Sequence, residues 1–198
     1  MFDFSIHTIL YVFGIIFVAE LPDKTALASL VLATKYKARD VIIGAWLAFL
    51  VQTAVAVLAG SVLQLLPAKP VHIAAGLGFL VFAVLAFRRK EAEEFVQEAA
   101  AVEAEQKRHV PPWLASFLVV FAAEWGDLTQ LATIALVART GETAAVAIGA
   151  TAALWAVTVL AALAGSQMSR FLTPQVLNTA SGVLFAVIGV IVIASAML

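Results

Sequence analysis

Residues 19–30 read AELPDKTALASL, and residues 123–134 read AEWGDLTQLATI. Each stretch sets an acid, a helix breaker and a second acid into an otherwise apolar run. Phe4 to Phe17 lead into the first with Ser5, His7 and Thr8 as the only strongly polar interruptions. The surrounding chain has 198 residues, of which 63% are hydrophobic and 13% charged. Its mean hydropathy is +1.03. A soluble domain carries roughly 25% charged residues. Runs of about 20 apolar residues recur, each able to cross a hydrocarbon core about 30 Å thick. The composition therefore describes an integral membrane protein whose first partner is the lipid bilayer. The net charge of −1 says nothing about partners, no nucleic acid is expected among them, and the lack of cysteine excludes disulfides and thiolate metal sites.

Six spans are expected at roughly 4–33, 41–66, 71–88, 113–138, 143–166 and 174–197. The first lacks a basic leader and a small-residue cleavage site, so it reads as a retained helix. Irregular backbone cannot face lipid, so each span must be helical or buried where it is not. Nine basic residues fall in the loops after spans one, three and five: Lys35, Lys37, Arg39, Arg88, Arg89, Lys90, Lys107, Arg108 and Arg170. Only Lys69 and Arg139 fall on the other side. The positive-inside rule then puts the central loop in the cytoplasm and both termini outside. Residues 89–112 mix both charge signs with Ala, Glu and Gln, as a solvated helical linker would.

The two quoted stretches are copies. Glu20, Asp23, Thr25 and Ser29 align with Glu124, Asp127, Thr129 and Thr133 at an offset of 104. Gly44, Ala48, Thr53, Ala56 and Gly60 align with Gly149, Ala153, Thr158, Ala161 and Gly165 at an offset of 105. Pro67 and Pro174 both precede the third span of their half. The expected fold is thus all-α, with six transmembrane helices in two repeats, residues 1–88 and 113–198. Three spans per repeat is odd, so the second copy must enter the membrane from the opposite side. Inverted repeats of this kind place transport sites near the midplane, at the repeat interface. The repeated small residues let helices approach closely, and Trp46, Trp113 and Trp155 read as packing or interface residues.

A charge at the centre of a spanning helix costs roughly 2.5–3.5 kcal/mol. Four acids there must face the interior and be paired, protonated or bound to a cation. Glu20 and Asp23 lie about 60° apart on an ideal helix, on one face. Pro22 disturbs the first helix, and Gly126 weakens the second at the matching position. Local unwinding would bring Thr25 towards the acids and free carbonyls as ligands. The available donors are all oxygen: Glu20, Asp23, Thr25, Ser29, Glu124, Asp127, Thr129, Gln130 and Thr133. Oxygen-only sets suit Ca²⁺, Mn²⁺ and Mg²⁺. A cation and protons would compete for these oxygens. Lys24 opposes cation binding and reads either as an internal charge partner or as a residue that snorkels to the interface.

ELPDKT and EWGDLT resemble the duplicated E-x-G-D-[KR]-[ST] signature of the Gdt-one/transmembrane-protein-165 family, and the resemblance covers essentially the whole chain. It implies exchange of Mn²⁺ or Ca²⁺ for protons, with no cofactor beyond the cargo. It also implies that Glu20, Asp23, Thr25, Glu124, Asp127 and Thr129 form the cation site, with Lys24, Ser29, Gln130 and Thr133 as auxiliaries. Pro22 stands where the signature has Gly, and Leu128 where it has a basic residue, so the halves are chemically unequal. The short chain without an organellar leader suggests a prokaryotic cell-membrane member whose task is manganese export. Two other readings are an exporter of small organic cations such as basic amino acids and an intramembrane aspartyl-type enzyme. Convergence of carboxylates within coordination distance would favour the metal. Homo-oligomerisation stays open.

Overall fold

The computed structural model describes residues 5–20, 32–33, 35–88, 100–101, 104, 110–168 and 174–197. Seven helices run through them. They are α1 (Ile6–Glu20), α2 (Ala38–Leu63), α3 (Ala68–Arg88), α4 (Pro112–Ala123), α5 (Leu128–Thr140), α6 (Thr143–Met168) and α7 (Pro174–Met197). Local chemistry sets several ends. Pro112 occupies the first turn of α4, where a missing N–H costs nothing. α5 stops at Gly141, whose left-handed φ of 71° lets its N–H return to the Val137 carbonyl.

Two helices, Ala38–Leu63 and Thr143–Leu163, are long and apolar enough to cross a membrane. The pair α4 and α5 passes the same test together, bent by 70°, and makes a third if counted as one span. The first span read from the sequence runs into residues 21–31, outside the described residues. Most of the 89–112 linker also lies outside them. Large side chains such as Leu10, Leu58, Val62 and Leu163 are exposed on the helix exteriors. In water this would be an aggregation surface; in a bilayer it is the ordinary lipid-facing wall.

Small residues carry the interior contacts. α2 buries Gly44, Ala45, Ala48, Ala56 and Gly60. A Cβ on Gly44 would strike the Trp113 carbonyl, Ser116 and Phe117 of α4. A Cβ on Gly149 would lie 2.7 Å from the Ile9 carbonyl and 3.0 Å from the Val12 Cβ of α1. Trp113, Ser116 and Phe117 sit 104 residues after Ile9, Val12 and Phe13, so the two contacts are built from matching positions. Phe13 stacks on Phe17 and Phe117 on Phe121, each with ring centroids 5.4 Å apart, again at the 104-residue offset. Each half's first helix therefore packs on the other half's second helix. α2 and α6 cross through Trp46 and Trp155, stacked at 4.5 Å. Each indole N–H donates to the other's carbonyl, at 3.2 and 3.1 Å. α3 and α7 pack extensively on each other, and α5 packs on α2. The core is thus shared between the halves, and the ends of α1 and α4 meet inside it.

Candidate metal centre

α4 does not continue into α5. Ala123 is its last residue, and Glu124 caps it with φ −94° and ψ 5°, its N–H returning to Val120. Gly126 then takes φ 76°, a conformation that L side chains rarely adopt. Asp127 is extended and begins α5 as its N-cap. Its Oδ1 accepts the Gln130 N–H at 2.7 Å, which satisfies one of the helix's orphan donors. Its Oδ2 accepts the Thr129 hydroxyl at 2.6 Å. The Gln130 side-chain oxygen accepts the Gly126 N–H at 2.8 Å, closing the turn from the other side. The break expected at Gly126 is therefore present, and hydrogen bonds from Gly126, Thr129 and Gln130 hold its shape.

Glu20 ends α1, fully buried, and Glu124 caps α4 at 1% exposure. Glu20, Glu124 and Asp127 each present a carboxylate oxygen within 4.8 Å of the others. Oxygens that share one Ca²⁺ at 2.3–2.6 Å lie no more than about 5 Å apart. Three buried acids from two widely separated segments can thus coordinate a single hard cation. An acidic triad at this spacing repels itself when fully ionised, and a cation, protons or a basic side chain would relieve that repulsion.

Among the other sequence-derived candidates, Thr129 and Thr133 are buried beside Asp127, and Thr133 donates to the Thr129 carbonyl at 2.8 Å. Gln130 serves the turn rather than presenting its amide oxygen to the acids. Asp23, Lys24, Thr25 and Ser29 lie outside the described residues. Sequence reasoning assigns Gln52 no role, because it stands isolated in its span. It is buried on α2, and its Nε2 donates at 3.0 Å to the Phe121 carbonyl, in the turn that α4 leaves open where it breaks. The Gln52 backbone carbonyl accepts from Gln130 Nε2 at 3.5 Å. Gln52 thereby ties both sides of the broken helix to α2. An amide in the middle of a spanning helix was the available signal.

Comparison with known proteins gives a consistent picture. The family model described as "Divalent cation/proton antiporter GDT1" matches residues 8–94 and 112–198, one stretch in each half. The chain is 32% identical to GDT1-like protein 2, chloroplastic, of Oryza sativa subsp. japonica, over 90% of this chain and 58% of that protein. It is 30% identical to a GDT1-like protein of Synechocystis sp., over 89% of this chain and 92% of that one. It is also 30% identical to the PAM71-homolog protein, chloroplastic, of Arabidopsis thaliana, over 88% of this chain and 56% of that protein. The chain thus spans a little over half the length of these chloroplastic relatives. No solved structure matches it.

Proposed function

Because the chain belongs to the divalent cation/proton antiporter family, we propose that it exchanges Mn²⁺ or Ca²⁺ for protons at the site formed by Glu20, Glu124 and Asp127. Convergence of these three buried carboxylates within 4.8 Å carries the reading. An organic cation would need a wider pocket with its acids spread around it, so the spacing favours a metal ion. The family is one of transporters, which speaks against an intramembrane aspartyl enzyme.

The chemistry follows from one constraint. Three acids this close in a buried site need positive charge, and either a divalent ion or protons can supply it. Entry of the ion expels protons; return of protons releases the ion. Asp23, Thr25 and Thr129 complete the oxygen set, and Lys24 supplies charge to the first half when the ion is absent. Ser29, Gln130 and Thr133 are auxiliaries. The direction that suits a cell-membrane exchanger driven by external protons is manganese export.

The two halves, residues 1–88 and 113–198, are proposed as inverted three-helix repeats of a six-span bundle. Residues 89–112 form its cytoplasmic linker, and both termini are external. The reciprocal packing of α1 on α6 and α4 on α2 supports a two-fold relation between the halves. Rocking one half against the other would then expose the shared acids to each side in turn.

The test is purified protein in liposomes carrying an internal pH dye. Addition of Mn²⁺ or Ca²⁺ on one side should drive proton movement in the opposite direction, and Glu124→Gln should abolish it. Cation flux without proton movement would refute exchange.

A further inference from the structure

Hydroxyls on the described helices share a habit. Ser61, Ser116, Thr133, Thr140 and Thr158 each donate to the carbonyl four residues earlier, at 2.8–2.9 Å. This back-bonding satisfies a hydroxyl inside an apolar bundle. Thr53 on α2 departs from it. The residue is 5% exposed, and its Oγ1 is buried with no hydrogen-bond partner among the described residues. Thr158 holds the matching place in the second half and donates to Leu154. The departure is therefore particular to the first half.

Thr53 lines a cavity of about 10 Å³ together with Gln52, Asp127, Thr129, Gln130 and Thr133. That is room for about one water molecule. The walls otherwise come from apolar side chains such as Phe49 and Leu154. A buried hydroxyl without a partner is unfavourable unless something else occupies it. The cavity beside it shares Asp127 with the acidic triad and opens onto no other titratable group among its lining residues.

We propose that Thr53 is a specificity-determining residue for the transported cation: its hydroxyl holds the one water that the ion retains while bound to Asp127. This rests on the exchange reading above. Water on a divalent ion is polarised and donates strongly. It needs an acceptor, and the Thr53 hydroxyl supplies one from a helix that carries neither acidic motif. Ions differ in how much they lose without it. Mn²⁺ prefers a compact octahedral oxygen shell. Ca²⁺ accepts six to eight oxygens in flexible geometry and replaces a lost water from other donors.

The experiment compares Thr53→Val and Thr53→Ser, with Thr158→Val as the control, in purified full-length protein. Mn²⁺ and Ca²⁺ affinity is measured by calorimetry, with thermal stability alongside and liposome flux as a separate arm. Val keeps the shape and removes the hydroxyl, so the melting temperature should hold. Thr53→Val should raise the Mn²⁺ Kd about tenfold and the Ca²⁺ Kd at least threefold less. Thr53→Ser should restore both to within twofold, and Thr158→Val should change neither. Unchanged Mn²⁺ affinity in Thr53→Val overturns the proposal. So does equal weakening by Val and Ser, which would mark a packing effect. Binding without flux in the wild type counts against exchange, while the affinity comparison still decides the role of Thr53.

Discussion

Asp127→Asn separates the site's chemistry from its architecture. As N-cap, Asp127 accepts from Gln130 N–H and Thr129 Oγ1 at 2.7 and 2.6 Å. Asn caps helices about as well as Asp, and the Thr129 hydroxyl can turn to accept from the new amide. The cost to the fold should stay below about 0.5 kcal/mol, and losing an intramembrane charge favours the variant. Binding is another matter. An ion midway between two oxygens 4.8 Å apart sits about 2.4 Å from each, a calcium–oxygen bond length. At an effective dielectric of about 20, a divalent charge at that distance attracts one carboxylate by about 14 kcal/mol. Removing the carboxylate also relieves repulsion from Glu20 and Glu124, at about 3.5 kcal/mol each. Attraction lost is about twice the repulsion relieved, whatever dielectric is chosen. The net loss approaches 7 kcal/mol if every acid is ionised; proton uptake and water entry reduce it. Even about 3 kcal/mol is a hundredfold in Kd. Calorimetry of Mn²⁺ binding across pH, paired with thermal melts, reads both quantities. Wild-type affinity should fall as pH falls, because protons take the same oxygens, and the slope should flatten in the variant. Affinity within threefold of wild type, or a loss matched by unfolding, would refute the site.

Three further outcomes follow. Gly149→Ala should destabilise by about 1–3 kcal/mol, since its Cβ meets α1 backbone at 2.7 Å, whereas Gly14→Ala, with nothing within 4 Å, should be neutral or stabilising by up to about 1 kcal/mol; equal melting temperatures would dispute the close α1–α6 contact. Gln52→Met should lower stability by about 1–3 kcal/mol by stranding the Phe121 carbonyl, and an unchanged melt would show that the break holds without it. Since the chain has no cysteine, Ala100→Cys and Met197→Cys report topology cleanly with an impermeant thiol reagent. Position 100 should react only from the cytoplasmic side and position 197 only from outside; the reverse pattern would overturn the orientation.

Much of the candidate site was legible because burial of charge in lipid is so costly that acids in an apolar run must have a purpose. Glu20, Glu124 and Asp127 stand out for that reason, and the 104-residue offset from Glu20 to Glu124 and from Asp23 to Asp127 reads as a duplication. The helix break was legible too: Gly126 between two acids leaves few alternatives to a turn. Spacing along one chain could not say which segments touch. The oxygens of Glu20 and Glu124 are brought within 4.8 Å by helices that pack across the two halves, through Gly44 and Gly149. The role of Gln52 depends on the same packing, because its partner carbonyl, Phe121, lies 69 residues away. Thr53 shows the limit most clearly. In the sequence it is one matched residue among several, equivalent to Thr158. Whether its hydroxyl turns back to its own helix or is left beside a cavity depends on what the neighbouring helix puts there. Sequence alone determined which residues are too polar for the membrane; tertiary structure decided which of them share one small volume, because only packing sets distances between separate helices.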